Sequence, residues 1–331
     1  MNTSLSRRSF IAKSVLGAAN TAGVAGMIGP PVTAQGQENG VPTVKAAPES
    51  KGSLPKGKIC NLEVSRMLLG GNLLTHYTHS RDLKYVYALT RHYNTQQKIM
   101  ETMATAEAYG VNTLVIHTAP GAIDTIKKYR RECGGKIQAI VCPTANIEPD
   151  MKAYSEQVKQ LVDDGIEMIY LWGVRGDALV QQGKMDLVAK AVECAKELGV
   201  PSGVGAHDLN VIKECEKAKI PCDFYIKTFH HHKYPTAPKV DQVKGVVAEI
   251  PGYWCSNPEE TIECMKTVEK PWMAFKVMAA GAIPPKDAFP YVLENGADHV
   301  LVGMFDFEIE EDSKIFKDAM ALVKRVRPWR S

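Results

Sequence analysis

One beat recurs eight times between Arg66 and Asp306: a short apolar strand, a polar or glycine ending, then an amphipathic helix. The strand cores read as Met67–Gly71, Thr113–His117, Ile137–Cys142, Glu167–Trp172, Pro201–His207, Asp223–Thr228, Trp272–Val277 and His299–Gly303. Strands alternating with helices at this spacing predict a parallel sheet, and eight such units predict a single closed (β/α)8 TIM barrel. Asn257-Pro258-Glu259-Glu260 reads as an N-cap, a proline at the first helical position and acids in the first turn. Gly110, Gly165, Gly199 and Gly296 each end a helical run ahead of a strand. Barrels of this kind place their chemistry at the strand C-terminal ends. Here those ends carry His117, Thr144, Trp172, His207, Lys227, Lys276 and Asp306.

The N-terminus reads as an address. Ser6-Arg7-Arg8-Ser9-Phe10-Ile11-Ala12-Lys13 has the form of a twin-arginine export signal, and Val32-Thr33-Ala34 offers a cleavage site. The expected division is a signal over 1–34, a flexible Gly/Pro/Ser-rich leader over 35–57 and the barrel over 58–331. Without residues 1–34 the chain loses Arg7, Arg8 and Lys13, leaving 40 − 3 = 37 basic against 37 acidic side chains. No basic field then remains to attract nucleic acid or anionic lipid, and the N-terminal stretch is too short and polar for a membrane anchor. The expected location is the periplasm or beyond, with the twin-arginine translocase as transit partner. Eight cysteines without a C-x-x-C pair read as reduced thiols, Cys215–Cys222 being the one bridge left open.

Strand six, Asp223-Phe-Tyr-Ile-Lys227-Thr-Phe-His-His231, alternates so that Tyr225, Lys227, Phe229 and His231 share one face. If the helix side is aliphatic, Lys227 points into the barrel, and the same reasoning turns Lys276 inward from strand seven. Two inward ammonium groups on neighbouring strands would each favour the neutral amine, a nucleophile or base toward a carbonyl. His207 closes strand five in Gly203-Val-Gly-Ala-His-Asp208, where Gly203 and Gly205 would leave room for a ligand.

Two long connections leave the same face of the barrel, which suits lids or binding loops. The first, which follows Asn72, carries His79 and Arg81, and the second carries His230-His231-His232, Tyr234 and Trp254. His207, His230 and His231 are candidate ligands for a divalent metal, although the spacing is not diagnostic. Ala279-Ala-Gly281-Ala-Ile and Gly303-Met-Phe-Asp306 stand where such barrels often bind phosphate on exposed backbone N–H groups.

Met67-Leu-Leu-Gly-Gly71, Ala108-Tyr-Gly-Val-Asn-Thr113 with His117-Thr-Ala119, Ile166-Glu-Met-Ile-Tyr-Leu171 and Gly203-Val-Gly-Ala-His-Asp208 together resemble the strands of a divergent aldo-keto reductase. That resemblance implies a TIM barrel and an NADP-dependent oxidoreductase. The family's Asp, Tyr, Lys and His tetrad does not carry over. His117 stands where the second-strand aspartate is expected, strand three ends Val141-Cys-Pro-Thr144 without the lysine, and Trp172 stands where strand four offers histidine. The pair Lys227 and Lys276 looks more like that of Schiff-base aldolases, and the whole also resembles uncharacterised twin-arginine-exported barrel proteins of bacteria.

The expected function is therefore an exported enzyme acting on a small, polar, carbonyl-bearing and sugar-derived molecule, as a lyase, aldolase or isomerase assisted by lysine or a metal. Lys276, Lys227, His207 and His231 are the candidate catalytic set. Asn72, His79, Arg81, His117, Trp172, His230, Tyr234, Trp254, Gly281 and Asp306 are the candidate substrate contacts. An NADP-dependent oxidoreductase with a reworked site and a non-catalytic sugar-binding barrel are the alternatives.

Overall fold

The computed structural model describes residues 44–80, 83–237, 239 and 255–331. The signal expected over residues 1–34 lies outside them, as do Arg81 and Trp254.

Eight parallel strands close into a barrel in the order β10-β3-β4-β5-β6-β7-β8-β9. They are β3 (Met67–Gly70), β4 (Thr113–His117), β5 (Gln138–Cys142), β6 (Met168–Leu171), β7 (Ser202–Ala206), β8 (Phe224–Thr228), β9 (Trp272–Phe275) and β10 (His299–Val302). Each observed strand falls within its expected core: β4 matches it, and the others are shorter by one or two residues. The joint between first and last staves is a true parallel pairing, Val300 opposite Met67 and Val302 opposite Leu69.

The outer ring includes α1 (Tyr85–Tyr93), α2 (Gln96–Ala108), α3 (Ala122–Cys133), α4 (Lys152–Asp163), α5 (Gly173–Gln181), α6 (Met185–Lys196), α7 (Leu209–Lys217), α8 (Pro258–Thr267), α9 (Pro285–Glu294) and α10 (Ile309–Leu322). The Thr95 hydroxyl caps α2 by accepting from the Lys98 amide at 3.3 Å. Asn257 takes the cap position of α8, but its side chain donates to Glu260 at 2.6 Å and makes no cap bond to the backbone.

Two apolar layers settle which way each strand residue points. Leu68, Val115, Ile140, Met168, Phe224, Ile226, Met273 and Leu301 fill the barrel interior. Leu69, Leu114, Ile116, Ala139, Val141, Ile169, Leu171, Val204, Tyr225, Trp272, Ala274 and Val300 pack outward under the helices. An antiparallel hairpin, β1 (Lys56–Ile59) and β2 (Leu62–Ser65), closes the floor, with Ile59 and Val64 buried in the interior layer. The strand pattern did not announce this hairpin.

The ordered unit starts earlier than expected. Ala46, Glu49 and Lys51 donate backbone hydrogen bonds to Cys133, Glu107 and Ala108, and Leu54 is buried. The segment 44–57, expected within a flexible leader, is therefore tied to the ends of α2 and α3.

Below the floor, the residues after α10 fold back beneath the joint between β10 and β3. Asp298 is fully buried and accepts from Trp272 N at 2.9 Å, Arg330 N at 2.9 Å, Arg325 at 3.3 Å and Arg327 at 2.5 Å. Arg66 donates to the Asp298 carbonyl at 3.0 Å and to the Ser331 carbonyl at 2.6 Å. The Trp329 ring is flanked by Arg66 at 4.0 Å and Arg325 at 3.4 Å. His299 donates from Nδ1 to the Ser65 carbonyl at 2.9 Å, and its Nε2 meets the Ser331 hydroxyl at 2.6 Å.

All eight cysteines are free thiols, Cys215 and Cys222 included. No helix among the described residues is long and apolar enough to cross a membrane.

Candidate active site

Strand alternation and one break in it decide which candidates meet at the C-terminal mouth. On β4, Val115 faces inward, so His117 two residues later does too. On β7, Val204 and Ala206 face the helices, which turns His207 inward, as expected.

Lys227 does not follow the expectation. Tyr225 packs outward, its hydroxyl donating to Glu216 of α7, while Phe224 and Ile226 fill the interior. Lys227 shares the Tyr225 face, and its register partners Ala206 and Ala274 both lie in the outer layer. Its ammonium is fully buried under the helices and donates to the Thr228 carbonyl at 2.8 Å and hydroxyl at 3.1 Å. Burial lowers its pKa, opposed by the charges of Asp177 and Asp208 among others. The premise that the helix-facing side of this strand is aliphatic fails: the polar tips of Tyr225 and Lys227 find partners there.

His231 is corrected with it. It sits edge-on to Tyr291 of α9 with ring centroids 5.0 Å apart, and its Nδ1 accepts from the Lys233 amide at 3.0 Å. His230 is buried, bonded through Nδ1 to the His231 carbonyl, with its ring 5.6 Å from His232 and 6.1 Å from Tyr234. These histidines form a loop cluster in which backbone groups occupy the ring nitrogens. Among the described residues, no three His, Cys, Asp or Glu side chains gather closely enough to hold a metal ion, so the candidate ligands His207, His230 and His231 are not brought together as one.

Lys276 reaches the mouth by a different route from the one expected. Trp272 and Ala274 face outward and Met273 inward, the reverse of the sequence assignment. Simple alternation would then send Lys276 outward. Its backbone instead turns left-handed, φ +58°, and carries the Nζ to 5.2 Å from the centre of the inward Phe275 ring. Ala279 and Ala280 continue in the same region at φ +45° and +55°, ahead of Gly281 at +81°. A left-handed non-glycine residue costs roughly 1–2 kcal/mol, so this turn stores strain beside Lys276.

Around Lys276 stand histidines held neutral. His79 bonds Asn72 at 3.1 Å, and its pKa is pushed down to about 2 by burial, then by Lys276, His207 and His117. Burial likewise lowers His117. Tyr77, on the rim, sets its ring edge-on to both His79 and His117, at 5.4 and 5.9 Å.

His207 has a partner that the sequence reading missed. Its Nδ1 lies 2.7 Å from Asp177 Oδ2, while Asp177 Oδ1 accepts from the His207 and Asp208 amides, each at 3.0 Å. Asp177 projects from α5, thirty residues upstream. An i, i+30 pair leaves no local motif, which is why the sequence did not reveal it. Burial and the Lys276 charge lower the His207 pKa, opposed by the bond to Asp177.

The glycines beside His207 serve protein packing rather than ligand access. A Cβ on Gly203 would lie 2.2 Å from the Phe224 ring, and one on Gly205 would lie 2.8 Å from the Gly173 nitrogen and Leu171 oxygen. The space expected for a ligand is filled. Cys142 and Tyr170 also face inward and interact with each other; burial raises both their pKa values, the thiol to about 12.

Of the other candidates, Asn72 stands in the mouth through its bond to His79. Trp172 caps α5, its carbonyl accepting from the Arg175 and Gly176 amides. Asp306 is tied to the helix ring, accepting from Tyr93 at 2.7 Å and Lys98 at 3.4 Å. Tyr234 packs on the His230–His231 rings.

No family model matches this chain, and no curated protein matches it by sequence. Solved structures match its fold. A candidate aldo-keto reductase from Pseudomonas aeruginosa has a TM-score of 0.57 at 13% identity, over 82% of this chain and 97% of that one. A Gox0644 variant in complex with NADPH has a TM-score of 0.51 at 11% identity, over 82% of this chain and 90% of that one. A mandelate oxidase variant with an FMN adduct also scores 0.51, at 12% identity, over 85% and 82% of the two chains. At such identities the likeness is one of architecture: this chain is a (β/α)8 barrel built like those enzymes.

Proposed function

We propose that the mouth of this barrel is the active site of an enzyme that condenses the Lys276 amine with the carbonyl of a small, polar, sugar-like substrate, as a lyase, aldolase or isomerase does. The reading rests on one observation. A lysine at the end of β9 adopts a left-handed backbone that brings its amine over Phe275, within electrostatic reach of His79 and His207. Strain of that kind persists where surrounding structure imposes it, and it clusters at working sites. Neutral histidines can accept and return protons without adding repulsive charge to the amine. The paired-lysine version is withdrawn, because Lys227 lies on the other side of the sheet wall.

Borohydride reduction in the presence of short hydroxyaldehydes and 2-oxo acids, followed by peptide mass spectrometry, tests the reading. One adduct is expected, on Lys276, and none in Lys276→Arg. A substrate that is turned over without ever trapping on Lys276 removes the proposal.

The Arg7-Arg8 signal supports export through the twin-arginine route as part of the same reading.

A further inference from the structure

We propose that Asp177 is a positioning residue that fixes the tautomer of His207, making Nε2 the proton acceptor of the barrel mouth. Three bonds define the pair. Oδ1 of Asp177 takes both backbone donors at the β7 end, His207 N and Asp208 N, at 3.0 Å each. That pins the carboxylate plane and leaves Oδ2 to face His207 Nδ1 at 2.7 Å. A carboxylate only accepts, so Nδ1 carries the hydrogen and Nε2 carries the lone pair. Both side chains are nearly buried, 6% and 10% exposed, so water competes little for the bond.

The fit is tight from the other side too. A Cβ on Gly173, the first residue of α5, would lie 3.1 Å from His207 Cε1 and 3.3 Å from Nδ1. The glycine lets the ring seat against the helix that supplies Asp177. The remaining groups acting on the ring are the Phe275 edge at 5.9 Å, Lys276, Lys227 and, from the first long connection, His79. Of these, Lys276 carries the chemistry proposed above, and the role of His207 toward it rests on that reading. His207 Nε2 would take a proton from the Lys276 ammonium, and the freed amine would add to the substrate carbonyl carbon as the C=O π bond opens and a second nitrogen proton passes to its oxygen, giving the carbinolamine. The imidazolium would return the proton to the carbinolamine hydroxyl, which leaves as water while the C=N bond forms. One ammonium and one carbonyl become one protonated imine and one water, and His207 ends neutral, so the step balances.

Asp177→Asn gives a readout that packing alone would not move. The two backbone donors hold the amide oxygen in the Oδ1 place, which turns the NH2 toward Nδ1. The ring must then accept at Nδ1 and carry its hydrogen on Nε2, losing the base. Nitrogen-15 NMR of histidine-labelled protein, with His207→Gln assigning the resonance, reports the tautomer without any substrate. The expected result is Nδ1–H in the wild type and Nε2–H in Asp177→Asn, with Lys276 trapping slowed about 100-fold or more, as for loss of a general base. A wild-type ring protonated on Nε2 overturns the inference even if the variant fails to fold, and so does an unchanged tautomer or an unchanged trapping rate in a folded variant. If the wild-type tautomer holds and no carbonyl traps, the Lys276 chemistry falls while the positioning of His207 by Asp177 is upheld.

Discussion

Replacing His299 with glutamine should flatten the acid side of the stability profile by an amount the structure allows to be worked out. The ring is fully buried, donates from Nδ1 to the Ser65 carbonyl, and so accepts from the Ser331 hydroxyl at Nε2. Burial, and then the Arg66 charge, push its pKa down to about 4. In the unfolded chain it returns to about 6.5. The unfolded state therefore binds a proton first as the pH falls, and His299 contributes stability that is fully present above pH ~6.5 and lost toward pH ~4. Between pH 8 and pH 5 the wild type should lose about 2 kcal/mol through this one ring. Other buried histidines, such as His230 with a pKa near 3, add their own losses, but these are common to both proteins and cancel in the comparison. Urea unfolding of wild type and His299→Gln at the two pH values gives the difference directly. The variant should start less stable at pH 8 and lose about 2 kcal/mol less on acidification. Parallel losses in the two proteins would show that His299 is not held neutral, and the reasoning about the barrel floor would fail.

Four further outcomes are expected. Ala280→Gly should raise stability by about 0.5–1 kcal/mol in chemical denaturation, because φ +55° strains alanine and not glycine; a loss would show that the turn is held by something other than strain. Lys227→Met should leave adduct formation at Lys276 intact and cost no more than about 2 kcal/mol, for the buried hydrogen bonds that the ammonium gives to Thr228; a folded variant that no longer traps would return Lys227 to the chemistry. Gly205→Ala should cost about 1–3 kcal/mol in urea unfolding, since its Cβ meets backbone atoms of Gly173 and Leu171 that cannot rotate away; wild-type stability would contradict the close approach of β6 and β7. Changing Arg7 and Arg8 together to lysine should keep the protein in the cytoplasm on fractionation, and unchanged export would remove the twin-arginine assignment.

The staves were legible because period and punctuation agree at each repeat: every strand of the barrel lies within the apolar run that announced it. The hairpin at the floor was not, since Lys56–Ile59 and Leu62–Ser65 are each four residues long and carry Lys56, Lys58 and Glu63 within them, which leaves no apolar run. Side-chain direction was the weaker inference. It assumed that an outward strand face is aliphatic, and Tyr225 and Lys227 violate this by sending polar tips to Glu216 and Thr228. Lys276 was expected in the mouth for a reason that failed, inward alternation, and arrives there through a positive φ that no local pattern foretells. Asp177 was invisible because its partnership with His207 exists only after β6, α5 and β7 have packed. Near-sequence patterns mark elements, whereas a site is made by residues that are strangers along the chain.

Arg66 and Asp298 each stand one residue ahead of the two staves that complete the ring, and Trp329 is wedged between Arg66 and Arg325 under the same joint. The tail thus acts as a latch on a hoop. Were it released and the joint it braces to part, β3 and β10 would become the two open margins of a sheet, offering unpaired backbone and the side chains of Leu68, Leu69, Val300 and Val302 to any neighbour. Damage to these last residues should therefore show first as self-association of an intact-looking barrel, before any change at the opposite rim.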